Sequence, residues 1–241
     1  MSGNAPLTES LLFATAKVGA DIWLDSRGAI WHPGQRWLAM ADLHYGFELT
    51  MRRAGGLFPN WGMREIESRL NALIAHYEPD TLILAGDLMD SHGCAGETLA
   101  LLGAMEKRVP RMICLEGNHE RPALLKQRSF QLWHREGPFL FHHGHAAPKV
   151  LGCADAVDGA GIQVTGHWHP AVTLNDGAGT KLKLPALMKR GPDPMIPLEH
   201  WVLPAFSPWA RGGRLSGSPT ASRPDQEVWA CHARRVFRVA L

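Results

Sequence analysis

The sequence predicts an α/β fold in a single domain of 241 residues. In its first half, short apolar runs alternate with segments whose apolar residues recur at helical spacing. In its second half, short apolar runs follow one another with few helical segments between them. Hydrophobic residues make up 45% and charged residues 20% of the chain. This composition is that of an ordinary folded globular protein.

The elements of the first half repeat as strand, loop and helix. The turn residues at 25–28 separate two short strands and predict a hairpin. The apolar positions Ile66, Leu70 and Ile74 recur at helical spacing. This repetition favours parallel strands with helices packed on the sheet. We predict a hairpin at 21–32, strands at 37–40, 81–85 and 111–115, and helices at 62–77 and 96–107.

The second half predicts a second, more antiparallel sheet. Residues 211–226 are rich in Gly, Ser, Pro and Arg. We interpret them as a mobile surface loop within the single domain 1–241, because too little chain follows to form another domain. The strands predicted here are 139–142, 162–165, 171–175, 181–184, 200–203 and 236–241.

The charge and the cysteines narrow the function classes. A net charge of +2 permits contact with a phosphate polymer but does not require it. The four cysteines are far apart and form no Cys-x-x-Cys pair, so we expect neither a zinc ribbon nor a disulfide framework. We predict no signal peptide and no membrane span, and a cytoplasmic location. The sequence makes no prediction of the oligomeric state.

Five polar motifs follow predicted strands directly. Ligands bind at the carboxyl ends of strands in open α/β sheets, so we expect these polar side chains to gather at one sheet edge. Carboxylate, amide and imidazole groups in such numbers favour a metal site. The motifs are Asp42-Leu43-His44, Gly86-Asp87-Leu88-Met89-Asp90, Gly117-Asn118-His119-Glu120, His142-His143-Gly144-His145 and Gly166-His167-Trp168-His169.

Each motif taken alone has an ordinary structural explanation. Asp87 could be a helix N-cap, and Gly117-Asn118 could form a turn that leaves His119 in solvent. One of His142 and His145 could be a core histidine. These explanations do not account for the whole set, and the combination favours metal binding.

The order of the five motifs resembles the calcineurin-like metallophosphoesterase superfamily over residues 42–169. The resemblance implies a four-layer α/β/β/α sandwich with two metal ions at one edge of the sheets. It also implies that His119 lies near the phosphate and the leaving oxygen, with Asp90 orienting it. His143 is preferred to His142 as the first His of a His-Gly-His motif, and this choice stays open. The implied ligands are Asp42, His44, Asp87 and His169 for one ion and Asp87, Asn118, His143 and His167 for the other.

Such a site would hydrolyse phosphoesters. Two ions about 3.5–4 Å apart clamp phosphoryl oxygens and lower the pKa of a water, and the resulting bridging hydroxide attacks phosphorus in line. His119 would stabilise charge or protonate the leaving group. Every implied ligand atom is nitrogen or oxygen, so we expect Mn²⁺ first, with Fe²⁺ or Zn²⁺ also suitable.

Two further stretches resemble a smaller bacterial subgroup, the ligase-associated DNA-damage-response endonucleases related to SbcD-like nucleases. These are the Arg-Arg-x-Gly stretch at 52–55 and the Leu-Pro-Ala-Phe stretch at 203–206. The resemblance implies a DNA substrate and repair partners such as a DNA ligase or helicase.

Cations and tryptophans are the candidates for contacting such a substrate. Cations would contact phosphates and tryptophans would stack on bases, although a solvated surface explains any single cation better, and core packing or a pocket wall explains most tryptophans better. We favour Arg52, Arg53 and Trp168. The other candidates are Lys189, Arg190, Arg211 and Arg214 for phosphates, and Trp61 and Trp209 for bases.

Two other functions compete with a nuclease. One is a phosphohydrolase of a nucleotide or a lipid-linked pyrophosphate. The other is a non-catalytic scaffold with the same fold. A scaffold should have lost several ligands, whereas all those implied here are present together with His119.

Overall fold

The computed structural model describes residues 13–91, 94–147, 157, 159–192, 197–210, 212 and 225–240. The first half of the chain forms a six-stranded sheet in the order β1-β2-β3-β4-β5-β6. Pairing is antiparallel from β1 to β4 and parallel from β4 to β6. The strands are β1 (Thr15–Gly19), β2 (Ile22–Asp25), β3 (Ala29–His32), β4 (Trp37–Met40), β5 (Thr81–Ala85) and β6 (Arg111–Leu115).

Helices follow the parallel strands of this sheet. After β4 come α1 (Phe47–Arg53) and α2 (Gly62–Tyr77); α3 (Ala95–Glu106) follows β5, and the single turn α4 (Pro122–Leu125) follows β6. Among the described residues, no helix combines the length and apolar character needed to cross a bilayer.

The second half forms an eight-stranded sheet in the order β14-β13-β11-β12-β9-β8-β7, with β10 paired to β11. The pairs β8–β9 and β9–β12 are parallel, and the others are antiparallel. The strands are β7 (Trp133–Glu136), β8 (Phe139–His142), β9 (Ile162–Thr165), β10 (Ala171–Asn175), β11 (Lys181–Arg190), β12 (Glu199–Val202), β13 (Glu227–His232) and β14 (Arg235–Val239).

The two sheets pack face to face over a shared apolar core. Trp37 of β4, Phe141 of β8 and Trp201 of β12 are almost completely buried in it. The opposite face of the first sheet packs against α2 and α3, through residues such as Leu70 and Leu102. Strands β4 and β5 are buried on both faces, which explains their continuous apolar runs. The predicted α/β fold of two mixed sheets flanked by helices is therefore confirmed.

Most predicted elements form at or within one residue of their expected limits, and the differences are local. Strand β11 continues to Arg190, and β14 occupies Arg235–Val239 instead of 236–241. Strands β1, β7 and β13 and helices α1 and α4 were not predicted from the sequence. The first sheet is antiparallel on its β1 side, which the strand–helix repetition did not predict. Most of the predicted mobile loop, residues 211 and 213–224, lies outside the described residues.

The packing of the sheets aligns the carboxyl ends of β4, β5, β6, β8 and β9 along one edge. The segment after β12 ties the two sheets together there. Phe206 donates its backbone N–H to the carbonyl of Ala41 (2.9 Å), and Ser207 donates to the carbonyl of Asp42 (3.0 Å). The loops that carry the five polar motifs therefore meet at this edge.

Candidate metal centre

Several loops at this edge turn through left-handed backbone conformations. Such conformations are uncommon for residues other than glycine and cost on the order of 1–3 kcal/mol each. They turn the chain sharply after each strand and so direct the side chains into the edge. The residues and their φ angles are Asp42 (58°), His44 (42°), Asp87 (51°), His167 (67°) and His169 (45°).

The glycines of three motifs leave the space that these side chains occupy. A Cβ at Gly117 would lie 2.2 Å from Oδ1 of Asp87, and a Cβ at Gly86 would lie 2.5 Å from Nδ1 of His143. A Cβ at Gly166 would lie 2.8 Å from a carboxylate oxygen of Asp42. Any larger residue at these positions would displace a proposed ligand.

The first group of donors consists of Asp42, His44 and His169. One ligand atom from each lies within 4.8 Å of the others. The two Nε2 atoms of His44 and His169 are 3.2 Å apart, and Nε2 of His169 is 3.5 Å from Oδ1 of Asp42. Two imidazole nitrogens and a buried carboxylate that converge in this way fit a divalent cation.

The second group consists of Asp87, His143 and His167, again within 4.8 Å of one another. Nε2 of His143 is 3.2 Å from Oδ2 of Asp87 and 3.2 Å from Oδ1 of Asn118. Nδ1 of His143 is 3.0 Å from the carbonyl oxygen of Ala85. A carbonyl only accepts, so Nδ1 carries a proton and Nε2 is the atom presented to a cation.

Asp87 faces both groups. Its Oδ2 atom is 3.2 Å from Nε2 of His143 and 3.8 Å from Nε2 of His44. The side chain is almost completely buried at the carboxyl end of the central strand β5. Its position between the two groups is that of a shared ligand.

The charges around Asp87 keep it ionised. Burial would raise the pKa of Asp87, but the hydrogen bond with His143 and the nearby imidazoles hold it well below its usual value. Burial opposes protonation of His143, yet Asp87 and Asp42 raise the pKa of His143 to about 9. Burial lowers the pKa of His44 to about 4, so this imidazole is neutral at pH 7. A cation in the second group would compete with the proton on His143.

Glu120 anchors two of the loops, a role that the sequence analysis did not assign. Its buried carboxylate accepts backbone N–H groups from Gly117 (2.6 Å), Leu88 (2.6 Å) and Asp87 (3.2 Å). Burial, and then the charge of Asp87, raise the pKa of Glu120. A buried carboxylate needs such partners, and here they fix the loops after β5 and β6 relative to each other.

His119 lies at the open side of the cluster, but Asp90 contacts it differently from expectation. Nδ1 of His119 is 2.7 Å from the backbone carbonyl oxygen of Asp90, and its Nε2 is 4.0 Å from Oδ2 of Asp87. The carboxylate of Asp90 instead approaches Nδ1 of His44 at 4.0 Å. The group that orients His119 is thus the main chain of Asp90 and not its side chain.

Of the two neighbouring histidines, the structure brings His143 to the cluster. His142 points to the other side of β8, where its Nε2 is 3.2 Å from Oε1 of Gln163 and burial lowers its pKa to about 4. Strand alternation separates these adjacent residues. His145 is exposed at the rim, with its ring 5.4 Å from that of His143.

The three favoured substrate contacts have different environments. Arg52 and Arg53 are exposed on α1, and Nε of Arg52 donates to the carbonyl of Phe58 at 2.7 Å. Trp168 is partly buried against apolar residues of the second sheet, including Val172 and Val202. It lines neither of the two cavities described below.

The remaining proposed cations are not available as phosphate contacts or lie outside the described residues. Lys189 donates to the carbonyl of Val18 (2.6 Å) and lies over the ring of Trp201 (4.6 Å). Arg190 is buried. Arg211 and Arg214 lie outside the described residues. Lys189 and Arg190 therefore support the second sheet instead of facing a substrate.

Two adjoining cavities open beside the cluster. The first, of about 350 Å³, has a polar end with His44, His119 and His169 and an apolar end with Phe47 and Trp209. The second, of about 500 Å³, also reaches His169, Phe47 and Trp209, and extends to Phe58 and Lys183. Together they form a groove that leads away from the candidate metal centre.

Comparison with known proteins agrees with this geometry. Residues 36–149 match the family described as calcineurin-like phosphoesterase. Over these residues the chain is similar to that family. The match ends before the motif at 166–169, whose histidines the structure adds to the same cluster. The chain is accordingly a metal-dependent hydrolase of phosphoester bonds.

The similar solved structures include a nuclease that shares the fold of this chain. The nuclease MPE of Pseudomonas putida is 24% identical, with a TM-score of 0.64 over 94% of this chain and 100% of that one. The phosphoesterase Yfce of E. coli is 15% identical, with a TM-score of 0.43 over 80% of this chain and 86% of that one. Vps29 of Cryptosporidium parvum is 13% identical, with a TM-score of 0.38 over 84% and 94%. No curated protein matches the sequence.

Proposed function

We propose that this phosphoesterase is a dinuclear phosphodiesterase that acts on DNA. The observation that carries the proposal is the position of Asp87. Its single carboxylate forms one group of possible ligands with His143 and His167 and another with His44 and His119, and His44 is shared with the group of Asp42 and His169. One group with one ion would not need a shared carboxylate. Two groups that share one are the arrangement of a two-ion site.

Seven residues would hold the ions. Asp42, His44 and His169 would hold one, His143, His167 and Asn118 the other, and Asp87 would contact both. Nitrogen and oxygen donors without thiolate suit Mn²⁺, which we propose as the native metal, and also Fe²⁺ or Zn²⁺. When bound, the ions neutralise charge on the phosphoryl oxygens and make a water more acidic.

His119 would move a proton at the open side of the cluster. Its Nδ1–H donates to the carbonyl of Asp90 and fixes the ring, so that Nε2 faces the groove. In its protonated form Nε2–H would donate to the leaving oxygen of the phosphodiester. Glu120 would act indirectly, by keeping the backbone of Asp87 and Gly117 in position.

DNA is proposed as the substrate on two grounds. The chain shares its fold with a protein described as a nuclease, over 94% of its length. The stretches at 52–55 and 203–206 resemble ligase-associated DNA-damage-response endonucleases, and on this ground we also propose a DNA ligase or helicase as a partner. Phosphohydrolysis of a free nucleotide is the second candidate, because the cavity of about 350 Å³ beside the cluster has the size of a small-molecule site.

The test is hydrolysis by the purified chain with Mn²⁺. The substrates are single-stranded DNA, supercoiled plasmid, bis-p-nitrophenyl phosphate, p-nitrophenyl phosphate and nucleoside monophosphates. The proposal predicts cleavage of DNA and of the diester, abolished by Asp87→Asn and retained by Asp176→Asn, a matched change at an exposed residue of the β10–β11 turn. Hydrolysis of monoesters alone would favour the nucleotide phosphohydrolase.

A further inference from the structure

The groove beside the metal centre has a wall of aromatic side chains that the hydrolytic chemistry does not require. We call Phe47, Phe58 and Trp209 the aromatic wall. Phe47 and Trp209 line the same cavity as His44 and His119. The adjoining cavity is lined by all three members of the wall. A ligand whose phosphate lies at the cluster would therefore have its neighbouring group against these rings.

Trp209 is held in this wall by dedicated contacts. Its Nε1–H donates to Oε2 of Glu48 at 3.0 Å, while Oε1 of Glu48 accepts the backbone N–H of Met63 at 2.7 Å. Glu48 is completely buried. Burying a carboxylate is costly unless it is hydrogen-bonded, so the buried Glu48 depends on these two hydrogen bonds, one of which fixes the indole.

The packing around Trp209 is equally specific. A Cβ at Gly62, the first residue of α2, would lie 1.9 Å from Nε1 of Trp209, so the close approach of the indole requires glycine there. The rings of Phe47 and Trp209 are stacked, with centroids 5.6 Å apart and an interplanar angle of 27°. Phe58 meets Trp209 edge-on at 5.5 Å. The indole nevertheless stays only partly buried and lines both cavities.

We propose that the aromatic wall is a nucleobase subsite that binds the base next to the scissile phosphate. The inference rests on the proposed function, and it names the substrate class as one that carries a base at this position. Nucleobases stack on aromatic side chains whatever the sequence, because every base has a π-face. Lys183 is exposed in the adjoining cavity, where the groove continues. Its ammonium donates one hydrogen bond to the carbonyl of Gly212 (2.8 Å) and has two further N–H groups for a second phosphate. The groove thus has a polar end for a phosphate, then the aromatic wall and then a cation, which is the order of groups along a nucleotide chain.

Binding of small ligands to the Mn²⁺-loaded protein tests the subsite separately from the cleavage of DNA. Deoxyadenosine 5′-monophosphate and 2-deoxyribose 5-phosphate differ only by the base. Isothermal titration calorimetry should show that the nucleotide binds about 5- to 150-fold more tightly, the range of one base–aromatic stack. Trp209→Ala should remove this preference, and Trp209→Phe should restore part of it. Trp23→Ala, a change of another exposed tryptophan that lies on β2, should keep it.

Equal preference for the nucleotide in the wild type and in Trp209→Ala would overturn the subsite. Phe47→Ala provides a second variant in case Trp209→Ala fails to fold, and it should also weaken the preference. Thermal melting and metal content, compared with the wild type, identify a variant that has lost its structure.

Cleavage of oligonucleotides separates this inference from the proposed function. A set of oligonucleotides is compared with the intact sequence. Each member has one abasic position, which lies next to a different possible cleavage site. Trp209→Ala should raise the KM for the intact strand. The difference in KM between the intact and the abasic strands should therefore be smaller in this variant than in the wild type. If the wild type cleaves DNA but Trp209→Ala slows both strands equally, the subsite is wrong and the nuclease stands. If no phosphodiester is cleaved while the base preference in binding persists, the nuclease is wrong and the subsite stands.

Discussion

The two sheets contribute different chemistry to the candidate metal centre. The loops after β4, β5 and β6 of the first sheet supply every oxygen donor, and the carboxylates of Asp42 and Asp87 are buried there. The loops after β8 and β9 of the second sheet supply only imidazoles, and His167 and His169 remain partly exposed. The first sheet thus fixes the negative charge of the site, and the second sheet adds nitrogen donors when the two sheets pack.

The largest loss of turnover is expected from a substitution at Asp87. Asp87→Ala removes the carboxylate that faces donors from both sheets, so it should lower turnover about 10⁴-fold. Metal analysis of the purified variant should show fewer than two ions per chain, while circular dichroism should match the wild type. Activity within tenfold of the wild type would mean that the sheets do not share a ligand.

A smaller loss of turnover is expected from a substitution at His119, which lies beside the proposed metal ligands. His119→Ala should lower turnover about 10³-fold, because it removes a proton donor and leaves both groups of ligands intact. Metal content should not change. His232→Ala, at an exposed position of β13, is the matched control and should retain full turnover. Loss of both ions in His119→Ala would make His119 a ligand and so contradict its assigned role.

Glu120 fixes two loops of the first sheet but is not itself a proposed metal ligand. Its substitution should therefore weaken metal binding without removing a ligand. Glu120→Gln should reduce metal affinity about 10- to 100-fold, because an amide replaces the charged acceptor of three backbone N–H groups. Saturating Mn²⁺ should restore most of kcat, which a merely destabilised protein would not show. Glu136→Gln, which changes a carboxylate paired with Arg111 on the surface, is the control.

His200 on β12 of the second sheet should make the stability of the protein depend on pH. Burial, and then the charges of His142 and Arg190, lower the pKa of His200 to about 3. Its Nε2 is 2.9 Å from Oγ1 of Thr165. The unfolded chain protonates this histidine near pH 6.5 and the folded chain does not, so stability is lost as the pH falls below 6.5. At pH 5 the loss relative to pH 7 should be about 1–2 kcal/mol.

Urea unfolding of the wild type and of His200→Gln at both pH values measures this contribution. Glutamine retains a hydrogen-bonding group but does not titrate, so the difference between pH 7 and pH 5 should shrink in the variant. An identical difference in both proteins would show that His200 does not contribute.

Sequence patterns predicted best those elements that are buried on both faces. Strands β4 and β5 have continuous apolar runs and form where expected. Strands β1 and β7 carry mixed, partly exposed side chains, so their pattern resembles a loop. Strand β11 was predicted to end at Leu184, and the next residue, Pro185, lacks an N–H. The strand continues past this exposed proline, which pairs with Ala171 of β10.

The sequence allowed prediction of those site residues that belong to short motifs. Each proposed ligand follows a strand within one motif, and the structure brings Asp42, Asp87, Asn118 and His167 to one edge. Trp209 was among the tryptophans proposed for bases, but its place in the aromatic wall could not be predicted, because Glu48 and Trp209 are 161 positions apart and meet only in the fold. The contact between His119 and Asp90 uses a backbone carbonyl, which no side-chain pattern encodes.

The most direct test is a crystal structure of the wild-type chain grown with Mn²⁺ and measured at the manganese absorption edge. Our account predicts two anomalous peaks, one among Asp42, His44 and His169 and one among Asn118, His143 and His167, with Asp87 touching both. A single peak, or peaks away from the edge where the two sheets meet, would contradict it.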